Sequence, residues 1–195
     1  MLNYKGSDFK IKTDRDSSDY IYLVEHLAGM KDWKKNTCAR RIKKFIQKYP
    51  NYVVKELSSK DISHNEYKKM FEKWSQNKKI DKHFELNEYK AFERFLELDD
   101  ESIKFISIYM SDILIGFSVY EILSNNYAIA HFSKADSKDY PEIFDLLNWE
   151  EARYCYKIGI KYLNWEQDLG IEGIRYSKEK YKPCFLMRKF IVSVI

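Results

Sequence analysis

Apolar side chains recur along this chain with two different spacings, and the spacings divide it into helices and strands. Cys38, Ile42, Phe45, Ile46 and Tyr49 lie on one helical face, which predicts a helix over Lys31–Tyr49, ended by Pro50. Tyr67, Met70, Phe71 and Trp74 form a second stripe, in a helix that begins at Ser58 or Asp61. After a polar gap from Gln76 to Asp81, Leu86, Tyr89, Phe92, Phe95 and Leu96 form a third over Glu85–Leu98, and Asp99-Asp100 lead out. Shorter apolar runs predict strands at Tyr52–Leu57, Ile103–Met110, Ile113–Leu123 and Tyr127–Lys134, with turns at Ser111-Asp112 and Ser124-Asn125-Asn126. Gly116 inside the third run marks a bulge or a close approach of backbone to ligand. Tyr140-Pro141 opens a long helix to about Ile158, capped by Gly159. A short strand (Tyr162, Leu163, Trp165), a helix carrying Arg175, Lys178 and Lys182, and a last strand over Cys184–Ile195 follow. Toward the start, Tyr20–Ala28 reads as a short helix stopped by Gly29, and 1–19 as a polar N-terminal tail or edge segment.

From Tyr52 onward the order is β, α, α, β, β, β, α, β, α, β. That predicts an α+β (α/β) domain over 20–195, with a mostly antiparallel mixed sheet flanked by helices. The order is the one an acyl-CoA N-acyltransferase (GNAT) fold would give. That fold usually carries a glycine-rich loop after its fourth strand, where backbone amides at a helix N-terminus hold a pyrophosphate. Here the place is taken by Ala135–Pro141 (ADSKDYP), which has no glycine. The GNAT-like fold is expected; the usual coenzyme A cradle is not.

Composition alters this picture little. The 195 residues suffice for a real core, and 16% aromatics enrich both core and polar-tipped pockets. Net charge is only +4, so distribution matters more than the sum. Lys31, Lys34, Lys35, Arg40, Arg41, Lys43, Lys44 and Lys48 share the first long helix with Asp32 as its one acid. This is either a phosphate-binding face, for RNA or an anionic lipid surface, or a solvated helix face. The three cysteines fit a reducing, cytoplasmic setting and no disulfide framework. No metal-ligand spacing, P-loop, dinucleotide fingerprint or Gly-x-Ser-x-Gly elbow is present. No apolar run approaches the ~18 residues of a membrane span, and no signal peptide opens the chain.

The chemistry concentrates in Lys161–Pro183, KYLNWEQDLGIEGIRYSKEKYKP. Asn164, Glu166 and Asp168 stand at a strand end, and Arg175, Lys178 and Lys182 share a face of the next helix. Strand ends that feed a helix are where open α/β sheets place their sites. Acid before base around a turn is also ordinary helix capping. His131 and Lys134, at the end of another strand, are candidate anion-binding or catalytic groups. Singly, each is read more simply as a structural histidine and a loop lysine.

These residues also carry a resemblance. Asn164-x-Glu166-x-Asp168-x-Gly170, followed by Gly173, Arg175, Lys178, Tyr181 and Pro183, resembles the C-terminal domain of bacterial phosphatidylglycerol lysyltransferases. Tyr20–Gly29, the basic helix with Tyr49-Pro50, Trp74, and His131-x-x-Lys134-Ala135 support it over about Asp19–Lys189. Known members move an aminoacyl group from aminoacyl-tRNA to a lipid headgroup. The family's basic cluster survives here only as Lys34-Lys35-Asn36, with Arg40-Arg41 displaced. The family's N-terminal tandem domain and membrane domain are not in this sequence, which corresponds to the C-terminal half of a longer protein or to a shortened relative.

The resemblance implies an enzyme of the aminoacyl-transfer kind. Glu166 or Asp168 would be the catalytic base or would orient the nucleophile. Arg175 and Lys178 would hold anionic charge, with His131, Lys134, Asn164 and Tyr181 completing the pocket. On that reading Asp168→Asn and Arg175→Ala abolish transfer and leave stability nearly unchanged. Two alternatives stand beside it: an acyl-CoA-dependent N-acyltransferase, and a non-enzymatic module binding RNA or an anionic surface through Lys34, Lys35, Arg40, Arg41 and Lys44. The donors implied are aminoacyl-tRNA or acyl-CoA, with no further cofactor. The partners implied are tRNA and an anionic lipid headgroup at the inner face of the membrane.

Overall fold

The computed structural model describes residues 9–78, 82–98 and 100–194, with backbone only at 78 and 82–86. The strands are β1 (Phe9–Leu23), β2 (Val53–Leu57), β3 (Ile103–Met110), β4 (Ile113–Ser124), β5 (Tyr127–Ala135), β6 (Tyr162–Asn164) and β7 (Phe185–Val194). The helices are α1 (Val24–Ala28), α2 (Thr37–Lys48), α3 (His64–Lys78), α4 (Lys82–Glu97), α5 (Ile143–Lys157) and α6 (Glu172–Glu179), with a 3-10 turn at Met30–Asp32. The strands form one sheet in the order β2-β3-β4-β5-β6-β1-β7. Every neighbouring pair is antiparallel except β5 and β6. The expected α+β architecture is present, and from β2 onward the order of elements is the one read from the sequence.

The central strands are apolar at consecutive positions because both faces of the sheet are covered. On β3, Ile106 and Ile108 join the core formed with α1, α2 and α5, while Phe105 joins the opposite core formed with α3 and α4. The hairpin turn Ser111-Asp112 places both residues at positive φ, 46° and 65°, as a two-residue turn that follows the sheet's twist requires. Gly116 does lie beside a register irregularity between β3 and β4. Its close approach is to protein: an added Cβ would stand 2.9 Å from the Ala135 Cβ and 3.3 Å from Ile143.

Three expectations near the N-terminus need correction. Residues 9–19, read as tail or edge, belong to β1 and pair with β7. The register jumps between Asp14 and Asp19, so the run Arg15–Ser18 bulges out of the ladder; its polarity reflects the bulge. Tyr20–Leu23, read as helix, is strand, with Tyr20, Ile21 and Tyr22 all fully buried between β6 and β7. A short run buried on both faces cannot be told from a buried helix by periodicity. The basic helix begins at Thr37, where the Asn36 side chain accepts a hydrogen bond from the Cys38 amide at 2.7 Å. The expectations for 1–8, the end of the polar gap at 79–81, the side chain of Leu86, and Asp99 lie outside the described residues.

Candidate active site

β5 and β6 run parallel for three residue pairs only, Tyr127–Ile129 against Tyr162–Asn164. Beyond Asn164 the chain leaves β5 and follows β1: the Trp165 amide donates to the Tyr20 carbonyl, and the Tyr20 amide to the Glu166 carbonyl, both at 3.0 Å. The two strands therefore part, and the wedge between them opens into a pocket of about 330 Å³. β5 supplies His131, Ser133 and Lys134, the post-β6 segment Trp165, Glu166 and Gln167, α5 Asn148 and Glu151, and α6 with its sequel Ser177, Lys178 and Tyr181.

Glu166 turns the corner at φ 55°, a left-handed conformation that costs about 1–2 kcal/mol for a non-glycine residue. Asn164 holds that corner. Its Oδ1 accepts from the Glu166 amide at 2.6 Å, and its Nδ2 donates to Asp19 and to the Tyr127 hydroxyl, each at 3.0 Å. The Glu166 carboxylate meets His131 Nδ1 at 3.2 Å, while His131 Nε2 meets Glu121 at 3.0 Å. Burial pulls the His131 pKa down, but hydrogen bonds to Glu166 and Glu121 outweigh it and hold the ring above its ordinary 6.5. A protonated His131 donates to both carboxylates and fixes Glu166 at the pocket wall.

Lys178 enters from α6. Its ammonium donates to the carbonyls of Trp165 and Gln167, the latter at 2.8 Å. Burial lowers its pKa to about 8, against the pull of Glu166, Asp19 and Asp168. Tyr181 presents its ring to the pocket and packs edge-on to Trp165, with its hydroxyl 2.7 Å from Asp145. Lys134 lines the wedge, but its ammonium is held 2.5 Å from Glu88 and 3.8 Å from the centre of the Trp74 ring. Burial lowers its pKa in spite of Glu88.

The other expected residues stand behind the pocket. Asp168 is fully buried and accepts from Tyr20 at 2.6 Å, Arg175 at 2.8 and 3.1 Å, Arg15 at 3.2 Å and the Gly170 amide at 2.9 Å. These bonds, the Arg175 pair foremost, hold its carboxyl far below the usual carboxylate range. A carboxylate so saturated is a poor proton acceptor, and its bonds tie β1, the segment after β6 and α6 together. Arg175 also reaches Asp16 at 2.8 Å, so its guanidinium clamps the β1 bulge to α6.

The basic face divides in the same way. Arg41 bonds Asp145 at 2.5 Å and the Pro141 carbonyl, and Lys44 bonds Glu142 at 2.6 Å, so both tie α2 to the start of α5. Lys34, Lys35 and Arg40 are exposed.

In the loop after β5 four amides are engaged within the protein. Asp136 donates to the Ile115 carbonyl, Ser137 to Ala135, Asp139 to the Asp136 side chain, and Tyr140 to the Asp136 carbonyl. The buried Asp136 carboxylate in the same loop is paired with Lys73 at 2.5 Å.

Glu151 also lines the pocket and is not among the residues expected there from the sequence. It is fully buried on α5, where it accepts from Ser118 of β4 and, at 3.0 Å, from the Trp165 indole. Burial pushes its carboxyl up to about 7. The signal was present: Leu147, Glu151 and Cys155 share one helical stripe, and the flanking two are fully buried.

Residues 3–193 match the family described as phosphatidylglycerol lysyltransferase, C-terminal. An uncharacterized protein of Mycoplasmoides gallisepticum is 22% identical over 197 residues, covering 100% of this chain and 62% of its own length. Among solved structures, a conserved protein of unknown function from Bacteroides thetaiotaomicron superposes with a TM-score of 0.78 at 22% identity, over 98% of this chain and 64% of that one. L-PGS from Bacillus licheniformis gives 0.67 at 14%, over 95% and 61%. A tandem GNAT protein of clavulanic acid biosynthesis gives 0.51 at 8%, over 94% and 55%. At these identities the structural likeness establishes the GNAT-like fold alone. The chain spans a little under two thirds of the length of the first two relatives.

Proposed function

The chain belongs to the family of phosphatidylglycerol lysyltransferase C-terminal domains, and on that premise we propose that its wedge pocket transfers an aminoacyl group from an activated donor to an amine or hydroxyl acceptor. The observation that carries the proposal is the Glu166–His131 pair at the parting of β5 and β6, with the Lys178 ammonium bonded to the carbonyls on either side of Glu166 in the same pocket. Attack on an activated carbonyl needs a proton acceptor beside the nucleophile and positive charge near the developing oxyanion. Glu166 takes the first role, held in place by His131 and by the Asn164 corner. Lys178 takes the second. Asp168 and Arg175 position both by locking the segment between β6 and α6.

The donor is aminoacyl-tRNA rather than acyl-CoA. The specific support is the loop after β5: it has no glycine, four of its amides are engaged within the protein and an acid is buried among them, which disfavours a pyrophosphate there. The acceptor is an anionic lipid headgroup, reached from the membrane surface; among the described residues no helix is long and apolar enough to cross a membrane. Charged tRNA carrying a labelled amino acid, incubated with vesicles containing phosphatidylglycerol, tests this. Label should move into the lipid fraction, and acetyl-CoA should leave the melting temperature unchanged. Stabilisation by micromolar acetyl-CoA, with no label transferred, would favour the N-acyltransferase reading instead.

A further inference from the structure

Glu151 lines the pocket, fully buried. Among the described residues no Lys, Arg or His pairs with it, and its hydrogen bonds come from a neutral hydroxyl and a neutral indole. The buried aspartates nearby each have a cation: Asp168 has Arg175, Asp145 has Arg41, and Asp136 has Lys73. A buried carboxylate with no counter-charge is costly, and a protein keeps one where something else supplies the charge or the proton. The surroundings identify what fits. Ser118 and Ser133 stand directly opposite each other on β4 and β5, and both line the pocket with Glu151. The Ser133 hydroxyl is buried and, among the described residues, has no hydrogen-bond partner. Three oxygen-bearing side chains thus converge from two strands and a helix: a carboxylate and two hydroxyls.

The geometry points to a subsite for a primary ammonium group, seated against Glu151 with Ser118 and Ser133 as its other acceptors. An ammonium has three N–H donors and no acceptor, which matches this set. The pocket's own cations do not compete, because Lys178 is held by two carbonyls and Lys134 by Glu88. The inference rests on the pocket being the transfer site, and chemistry then selects which amino group binds. An attacking acceptor amine must present a free lone pair, so it cannot be the one held as an ammonium. The group seated at Glu151 is the amino group of the aminoacyl donor. Recognition by a buried charge would also separate aminoacyl from simple acyl groups, since an acyl group without the amine leaves Glu151 uncompensated.

The test is a binding measurement that needs no turnover. L-Alaninamide carries the ammonium, and L-lactamide replaces it with a hydroxyl of similar size. The Trp165 indole N–H, hydrogen-bonded to Glu151, is the reporter in nitrogen-15 NMR. Alaninamide should shift that resonance saturably. Lactamide should bind at least about tenfold more weakly, and Glu151→Gln should reduce alaninamide affinity by at least about tenfold, each tenfold being 1.4 kcal/mol. Equal binding of the two amides by the wild-type chain overturns the subsite, even if the variant does not fold. So does a folded Glu151→Gln variant that binds alaninamide normally but turns over slowly, which would make Glu151 a proton carrier. Selective alaninamide binding without any transfer to lipid would instead refute the transferase reading and leave the ammonium site standing.

Discussion

Asp168 and Glu166 are two residues apart, and their surroundings give them opposite properties. Asp168 has four donor groups around a fully buried carboxylate, two of them from Arg15 and Tyr20, which lie 153 and 148 positions away in the chain. Removing one partner of such a buried charge pair costs about 3–5 kcal/mol. Asp168→Asn should therefore reduce the unfolding free energy by that amount in urea denaturation, and any loss of transfer should follow the loss of fold. The pH dependence has a definite sign. The folded-state pKa is depressed, so this stabilisation is present above the ordinary 3.8 and disappears as pH falls through the folded value. His131 has the reverse sign. Its pKa is raised, so its contribution is complete below 6.5 and lost as pH rises through the folded value. An NMR titration should place the ring's midpoint above 6.5, and Glu121→Gln should lower it. The sequence makes both carboxylates visible at a strand end. It cannot show that distant Arg15 and Tyr20 reach one of them, and so it assigns both to catalysis.

At the scale of elements, the hydrophobic rhythm reveals what packs and conceals what pairs. The α2, α3 and α4 stripes and the β3–β4–β5 meander are legible because each element buries a continuous face. β1 is not, because half of it is a polar ribbon against β7 and the other half is buried on both sides. Gly116 is where sheet and helix meet most closely. Gly116→Ala should destabilise the fold by about 1–3 kcal/mol through overpacking against Ala135 and Ile143, measured by chemical denaturation. The basic stripe of α2 is legible as charge, but its division is not. Arg41 and Lys44 face the acidic start of α5, where Glu142 and Asp145 already favour the helix dipole.

Across the whole molecule, the parting of a single parallel strand pair creates the pocket, and the chain order alone predicts that some such sheet forms. The pocket's position is not legible, because it depends on the segment after β6 choosing β1 over β5. On the proposed reading, a tRNA donor would be held through the exposed Lys34, Lys35 and Arg40. Their combined reversal to Glu should weaken tRNA binding and flatten its salt dependence, by about one unit of slope for each phosphate no longer neutralised, with the melting temperature unchanged. Reversal of Arg41 alone should instead lower stability, because it breaks the ion pair with the buried Asp145.

On the proposed function Glu166, at the parting of β5 and β6, is the proton acceptor of an aminoacyl transfer. The most direct measurement is the single-turnover rate of label passing from charged tRNA to phosphatidylglycerol for the wild-type chain and for Glu166→Gln, with thermal melting recorded on both. Equal melting temperatures and a rate reduced about 10²–10⁴-fold in the variant are expected. A folded Glu166→Gln protein that transfers at the wild-type rate would contradict that role.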